Sequence, residues 1–247
     1  LIASLVIASR QLPGSDSAQA TIFSGEPHQT LEWLAARLRA LGLITEGAPV
    51  TIDQHADVRR MIDEIDRLAL GARAIAHLAC VTMERGDNSA LVEFLTPLAK
   101  VYCTEAGMRA AELGMQVLGG YGYLREYRIE QTYRDARITA IYEGTNGIHA
   151  RMMATRLAGS AAGDAFASYM QKEASRLSSE KAVMLLELWH TTREGVLNAK
   201  DPSVLAEDFL QASIKALLAC IWANLDHNKS HHPDGDRLER LCSNRSA

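Results

Sequence analysis

Residues 114–159 read GMQVLGGYGYLREYRIEQTYRDARITAIYEGTNGIHARMMATRLAG, and this stretch decides how the fold is read. Helical sequence runs into a Gly119-Gly120-Tyr121-Gly122 break, then a short charged segment, then a Tyr142-Glu143-Gly144-Thr145 turn, then helix again. Glycines set on loops between strongly helical flanks free the backbone to shape a surface against something else.

Upstream, Val58, Met61, Ile62, Ile65, Leu68, Ala69, Ala72, Ile75, Ala76, Ala79 and Met83 form one apolar stripe at a spacing of three to four residues, which predicts a long amphipathic helix. Asp53 and Asp57 at its start and Arg85 at its end suit the helix dipole. Gly86-Asp87-Asn88 breaks it. Thr96-Pro97 then has the form of an N-cap followed by proline at the first helical position, so a second long helix is predicted to begin there. Ala99, Ala106, Gly107, Ala110, Ala111 and Gly114 along it permit close helix–helix approach.

Downstream, the spacing predicts a third helix over 148–157 ended by Gly159, a small-residue linker over 159–163, and further helices over 165–188 and 204–225. A helix over about 28–41, carried by Leu31, Leu34, Leu38 and Leu41, precedes all of these. The polar segment 228–247 is expected to fray. The fold class predicted is all-α: an up-and-down helical bundle with additional C-terminal helices. The expected organisation is a poorly assigned segment 1–50, a bundle over 51–159 and a helical tail extension over 160–247. Apolar stripes in excess of what one monomer needs predict a homo-oligomer.

At 247 residues the chain can bury a substantial core. A formal net charge of −4 without a Lys/Arg run argues against a nucleic-acid partner. Cys80, Cys103, Cys220 and Cys242 are scattered with no CxxC pair, which predicts reduced thiols and a cytoplasmic setting. The apolar run 1–9 is far too short to span a bilayer and lacks the basic residue that precedes a signal sequence. The first residue is Leu, not Met, and the beginning of the chain is expected to be missing. His227, His231 and His232 lie in a polar tail without Cys or carboxylate partners, so no metal site is expected.

Three motifs in register then carry a resemblance. Gln116-Val117-Leu118-Gly119-Gly120-Tyr121-Gly122-Tyr123, Arg134-Asp135-Ala136-Arg137-Ile138 and Ile141-Tyr142-Glu143-Gly144-Thr145-Asn146 resemble the C-terminal helical domain of the flavin-dependent acyl-CoA dehydrogenases. His55-Ala56-Asp57-Val58-Arg59-Arg60-Met61 resembles a further segment of that family. Leu95-Thr96-Pro97 is similar to a bacterial branch that includes 3-methylmercaptopropionyl-CoA dehydrogenase. The resemblance covers 52–159 strongly and 165–225 loosely. Segment 1–50 does not share it, and the N-terminal helical and middle β-domains of the family have no counterpart in this sequence.

The resemblance implies FAD as cofactor, an acyl-CoA substrate and an electron-transfer flavoprotein as partner. It makes Glu143 the catalytic base that takes the α-proton of the thioester while flavin N5 accepts the β-hydride, giving a trans-2-enoyl-CoA. Gly144 and Tyr142 become substrate-binding positions. Gln116, Gly119, Gly120, Thr145 and Gly147 become flavin-binding positions, the first three often serving a neighbouring subunit. His149 stands close by without an assigned role. The residues alone leave Glu143 open to a plainer reading as a loop carboxylate capping the next helix, and Gly119-Gly120 to one as a C-cap. Arg134, Asp135 and Arg137 are expected to form a structural ion-pair cluster, and Tyr121, Tyr123, Tyr127 and Tyr133 to pack. A non-catalytic helical partner kept for oligomer contacts, and an acyl-CoA oxidase, are the competing functional classes.

Overall fold

A computed structural model describes residues 51–231 and 241–242. The helix expected over 28–41 lies outside the described residues. Among the described residues there are seven α-helices and no strand, as the apolar periodicity requires. They are α1 (Ala56–Arg85), α2 (Ser89–Leu118), α3 (Ile129–Thr139), α4 (Asn146–Met152), α5 (Ala161–Leu177), α6 (Glu180–Asn198) and α7 (Ala206–His227).

α1 and α2 form the long hairpin that frames the molecule. Gly86, left-handed at φ 66°, stops α1, and the Asn88 side chain accepts from the Leu91 amide to start α2. The two run antiparallel: the Cys103 thiol donates to the Ala72 carbonyl at 3.4 Å, and Arg109 donates to Glu64 at 2.9 Å. Met61 and Ile65 of α1 bury against Ala110, Leu113 and Val117 of α2.

The start of α2 differs from the sequence prediction. Thr96 is not its cap and Pro97 is not its first residue; the helix passes through both, and Pro97 is buried inside it. Pro97 deprives the Glu93 carbonyl of its partner, a local cost of about 3 kcal/mol. Leu91, Phe94 and Leu95, in the turns before it, are 4 %, 0 % and 0 % exposed. At about 1.5–3 kcal/mol for each buried side chain, their burial outweighs the proline. The Thr96 hydroxyl, far from capping, donates back to the Val92 carbonyl at 2.7 Å.

α2 is the axis of the fold, packing on α1, α3, α4, α5 and α7. Its first half enters the main core, where Phe94 stacks on Phe166 of α5 with ring centroids 4.3 Å apart and meets Trp189 of α6 and Phe209 of α7 edge-on. The buried Trp189 indole donates to Ser213 Oγ at 2.8 Å, so the one polar atom it carries inward is satisfied. Segments 51–159 and 160–231 thus share a core, with α7 buried along much of its length.

Three further predictions are corrected. The single helix expected over 165–188 is two helices, because Ser178 turns left-handed at φ 49° and Ser179 caps α6 by accepting from the Ala182 amide. The short charged segment after the glycines contains a helix, α3, which buries Ile129, Ala136 and Thr139 and exposes Arg134, Asp135 and Arg137. The third predicted helix is present with a different end: α4 passes at Met153–Leu157 into a π turn closed by the Ala158 amide on the Met153 carbonyl at 2.8 Å.

Candidate active site

Between α3 and α4 the chain makes a tight turn over Ala140–Thr145 and presents Glu143 to solvent. Glu143 and Gly144 are both left-handed, at φ 54° and 87°. Glycine accepts that conformation freely; glutamate does so only where its surroundings over-determine it. The surroundings here are polar and come from two helices.

The Lys100 ammonium, on α2, donates to the Gly144 carbonyl at 2.8 Å and to Asn146 Oδ1 at 2.7 Å. Asn146 Nδ2 donates to Thr104 Oγ1 and Glu105 Oε1, each at 3.2 Å, and the Asn146 amide donates to the Ala140 carbonyl at 3.2 Å. From α4, His149 Nε2 lies 3.1 Å from the Glu143 carbonyl. A carbonyl can only accept, so Nε2 carries the hydrogen, and the buried Nδ1 has no protein partner. Burial pushes the Lys100 ammonium below its ordinary pKa, opposed by the charges of Glu143 and Glu105. Burial likewise raises the Glu105 carboxyl, while the Asn146 hydrogen bond works the other way.

Of the residues singled out from sequence, this turn brings together Tyr142, Glu143, Gly144, Thr145 and Gly147. Tyr142, Glu143, Thr145 and Gly147 are exposed and Gly144 half-buried. Thr145 caps α4, its Oγ1 accepting from the Ile148 amide at 3.4 Å. Glu143 itself makes no capping bond; Thr145 does that work, so the plainer reading of Glu143 as the cap is not what the turn uses.

Gln116, Gly119 and Gly120 are elsewhere. All three are exposed at the far end of α2, and Gln116 is twelve residues beyond Thr104, about 18 Å along the helix axis. Gly119 ends α2 at φ 57° and ψ −137°, a conformation reserved almost wholly for glycine, and a Cβ added at Gly119 or Gly120 would meet nothing within 4 Å. Gly122 serves packing: a Cβ there would come within 2.7 Å of Met115 Cα. One copy of the chain therefore offers two separate exposed surfaces, at the middle and at the end of α2. Arg134 pairs with Glu130 at 2.8 Å on α3 rather than with Asp135, and Arg137 reaches Met108 Sδ at 3.8 Å. Tyr121 and Tyr127 pack ring to ring at 5.2 Å, but Tyr123 and Tyr133, expected to pack, are exposed. Among the described residues no group of His, Cys, Asp and Glu could hold a metal, and no helix is long and apolar enough to cross a membrane.

Lys100, Thr104 and Glu105 are functional candidates outside every motif, and Asn146 stands in one without a role, because α2 and the turn that carries Gly144 and Asn146 meet only in the folded chain. The family description "Acyl-CoA dehydrogenase, C-terminal domain" matches residues 34–158, just over half of the chain.

This chain belongs to the acyl-CoA dehydrogenase family.

The match begins inside the segment that the motifs left unassigned and ends beside Gly159. The chain is 42% identical over 110 residues to 3-methylmercaptopropionyl-CoA dehydrogenase of Ruegeria pomeroyi, an alignment covering 41% of this chain and 19% of that protein. It is 32% identical over 113 residues to an acyl-CoA dehydrogenase of Bacillus subtilis, covering 46% of this chain and 28% of that one. The chain thus spans well under a third of the length of these relatives. In structure it is similar to the apo-form of Bd2924, with a TM-score of 0.55 at 15% identity, over 72% of this chain and 36% of the other. That likeness concerns the helical fold alone.

Proposed function

We propose that this acyl-CoA dehydrogenase domain contributes the catalytic base to a flavin-dependent α,β-dehydrogenation of an acyl-CoA thioester. The observation that carries the reading is Glu143: an exposed carboxylate on a left-handed turn that two helices hold in place. Thr145 caps α4, which leaves the Glu143 carboxylate exposed at the turn and not used as a cap.

The residues present fit part of a flavin site. Gly119 and Gly120 offer bare backbone into open space, and Thr145 leaves its hydroxyl hydrogen available to a ligand while its oxygen caps α4. Gln116, Gly119 and Gly120 would hold the pyrophosphate side, and Thr145 and Gly147 the side nearer the reacting carbon. Their separation along α2 fits two copies of the chain contributing to each flavin, and this is the reason to propose a homo-oligomer. FAD, when bound, supplies the acceptor for the hydride that leaves the β-carbon.

The remaining chemistry belongs to this chain. The thioester carbonyl lies over Gly144, which carries no side chain of its own, and accepts a hydrogen bond from the Glu143 amide. That bond stabilises the negative charge developing on the carbonyl oxygen. The α C–H bond breaks, the proton passes to the Glu143 carboxylate, and the electron pair forms the double bond as the β-hydride departs. Tyr142 flanks the acyl group. Such general-base assistance contributes about 10²–10⁴ in rate. An electron-transfer flavoprotein would reoxidise the cofactor, and segments 51–159 and 160–247 would serve as site-bearing bundle and supporting helices. The test is Glu143→Gln in the flavin-loaded protein mixed with acyl-CoA. Flavin content should be unchanged and flavin bleaching slowed at least about a hundredfold; near-normal bleaching removes Glu143 from the mechanism.

A further inference from the structure

The peptide carbonyls of Glu143 and Gly144 are consecutive, and each accepts a hydrogen bond from a different helix: His149 Nε2 of α4 holds the first, Lys100 Nζ of α2 the second. These bonds hold the two peptide planes that flank Gly144, and the first of those planes also carries the Glu143 α-carbon, so the backbone on the C-terminal side of the Glu143 side chain is held. Lys100 is further constrained. Its second bond, to Asn146 Oδ1, orients the Asn146 amide so that Nδ2 points at Thr104 and Glu105, and the Thr104 hydroxyl is turned to the Val101 carbonyl at 2.9 Å. The ammonium thus closes a chain of bonds running from α2 through α4 back to α2. Gly144 completes the arrangement, since a Cβ there would lie 3.3 Å from His149 Nε2.

We propose that Lys100 is a positioning residue for the reaction: by pinning the Gly144 carbonyl and Asn146 to α2, with His149 pinning the Glu143 carbonyl, it aims the Glu143 carboxylate. The inference rests on the reading of Glu143 as the base. Lys100 itself touches no reacting atom. Its contribution is geometric, holding a left-handed glutamate in a pose it would otherwise leave, and small misplacements of a catalytic group cost up to about a hundredfold in rate.

The test uses Lys100→Met with two readouts. In the 247-residue chain, hydrogen exchange at the Asn146 and Ile148 amides should speed up at least about tenfold, with the amides of α1 unchanged. In the flavin-loaded protein, kcat should fall at least about tenfold while KM for acyl-CoA stays within about threefold. Unchanged exchange in the turn, or a normal kcat with a loosened turn, overturns the proposal. If Lys100→Met does not fold, Asn146→Ala breaks the same chain of bonds and is held to the same two outcomes. Failure of this inference is distinguishable from failure of the base reading. In the first case Glu143→Gln still stops bleaching while the Lys100 variant behaves as wild type; in the second Glu143→Gln itself bleaches normally.

Discussion

Around Phe94 the rings of Phe166, Trp189 and Phe209 close in with centroids 4.3, 6.3 and 6.2 Å away, all four side chains fully buried. Six residues further along the same helix, Lys100 reaches out to a turn whose catalytic candidate is exposed and whose backbone is left-handed. The first region is held by contact area, which is undirected and tolerates small adjustments; the second by a few hydrogen bonds whose value depends on angle. The difference teaches where each kind of perturbation will register. Losing area should cost stability and spare the turn's chemistry, whereas losing a directed bond should do the reverse.

The largest effect on stability is expected from Trp189→Ala, which empties the middle of the aromatic cluster and removes the indole donor from Ser213. It should lower the free energy of unfolding by about 3–5 kcal/mol in urea titration. A loss under about 1 kcal/mol would mean that the cluster is not the principal source of stability and would break the contrast. At the turn, Glu143→Gly should leave stability unchanged or raise it by up to about 1 kcal/mol. Relief of the left-handed strain offsets the extra freedom of the unfolded chain. The same variant should be as inactive as Glu143→Gln. A clear destabilisation would show that the Glu143 side chain supports the fold and is not held at the fold's expense.

The smallest effect concerns Glu105. Burial raises its carboxyl above the ordinary value, so the folded state holds that proton more tightly than the unfolded state does. Stability therefore falls as pH rises from about the ordinary carboxylate range through the raised value, and the cost is fully present above it. Glu105→Gln keeps an oxygen acceptor for Asn146 and removes the charge. Thermal unfolding between pH 4 and 7 should show a flatter pH dependence than wild type, with no loss at pH 7. A steeper slope would reverse the sign argued here.

Much of this architecture was legible as periodicity. The stripe from Val58 to Met83 gave α1, and the turn motif picked out Glu143 before any geometry was known. The misreadings share a cause: a strong local signal set against a tertiary one. Thr96-Pro97 has every local mark of a helix start, yet Leu91, Phe94, Leu95, Leu98 and Val101 fall on one helical stripe running straight through it, and burial decides. Ser178-Ser179 was passed over because the apolar spacing resumes on either side without an obvious breaker. α3 escaped because its buried face is only Ile129, Ala136 and Thr139. Lys100 had no motif to announce it; its partners, Gly144 in the turn and Asn146 at the start of α4, are 44 and 46 residues away in sequence. The glycines at the end of α2 were picked out as a motif, but only the helical rise shows that they serve a different surface from Glu143.

The proline inside α2 has a consequence for how the turn is aligned. Because the helix continues unbroken through Pro97, Phe94 and Lys100 are parts of one rigid rod, and each residue of that rod advances by about 100° around its axis. The ring cluster therefore sets the compass bearing of the Lys100 side chain. A single residue inserted between Leu98 and Lys100 would leave the rings seated and swing the ammonium about a quarter-circle off its target, a lesion of phase and not of composition.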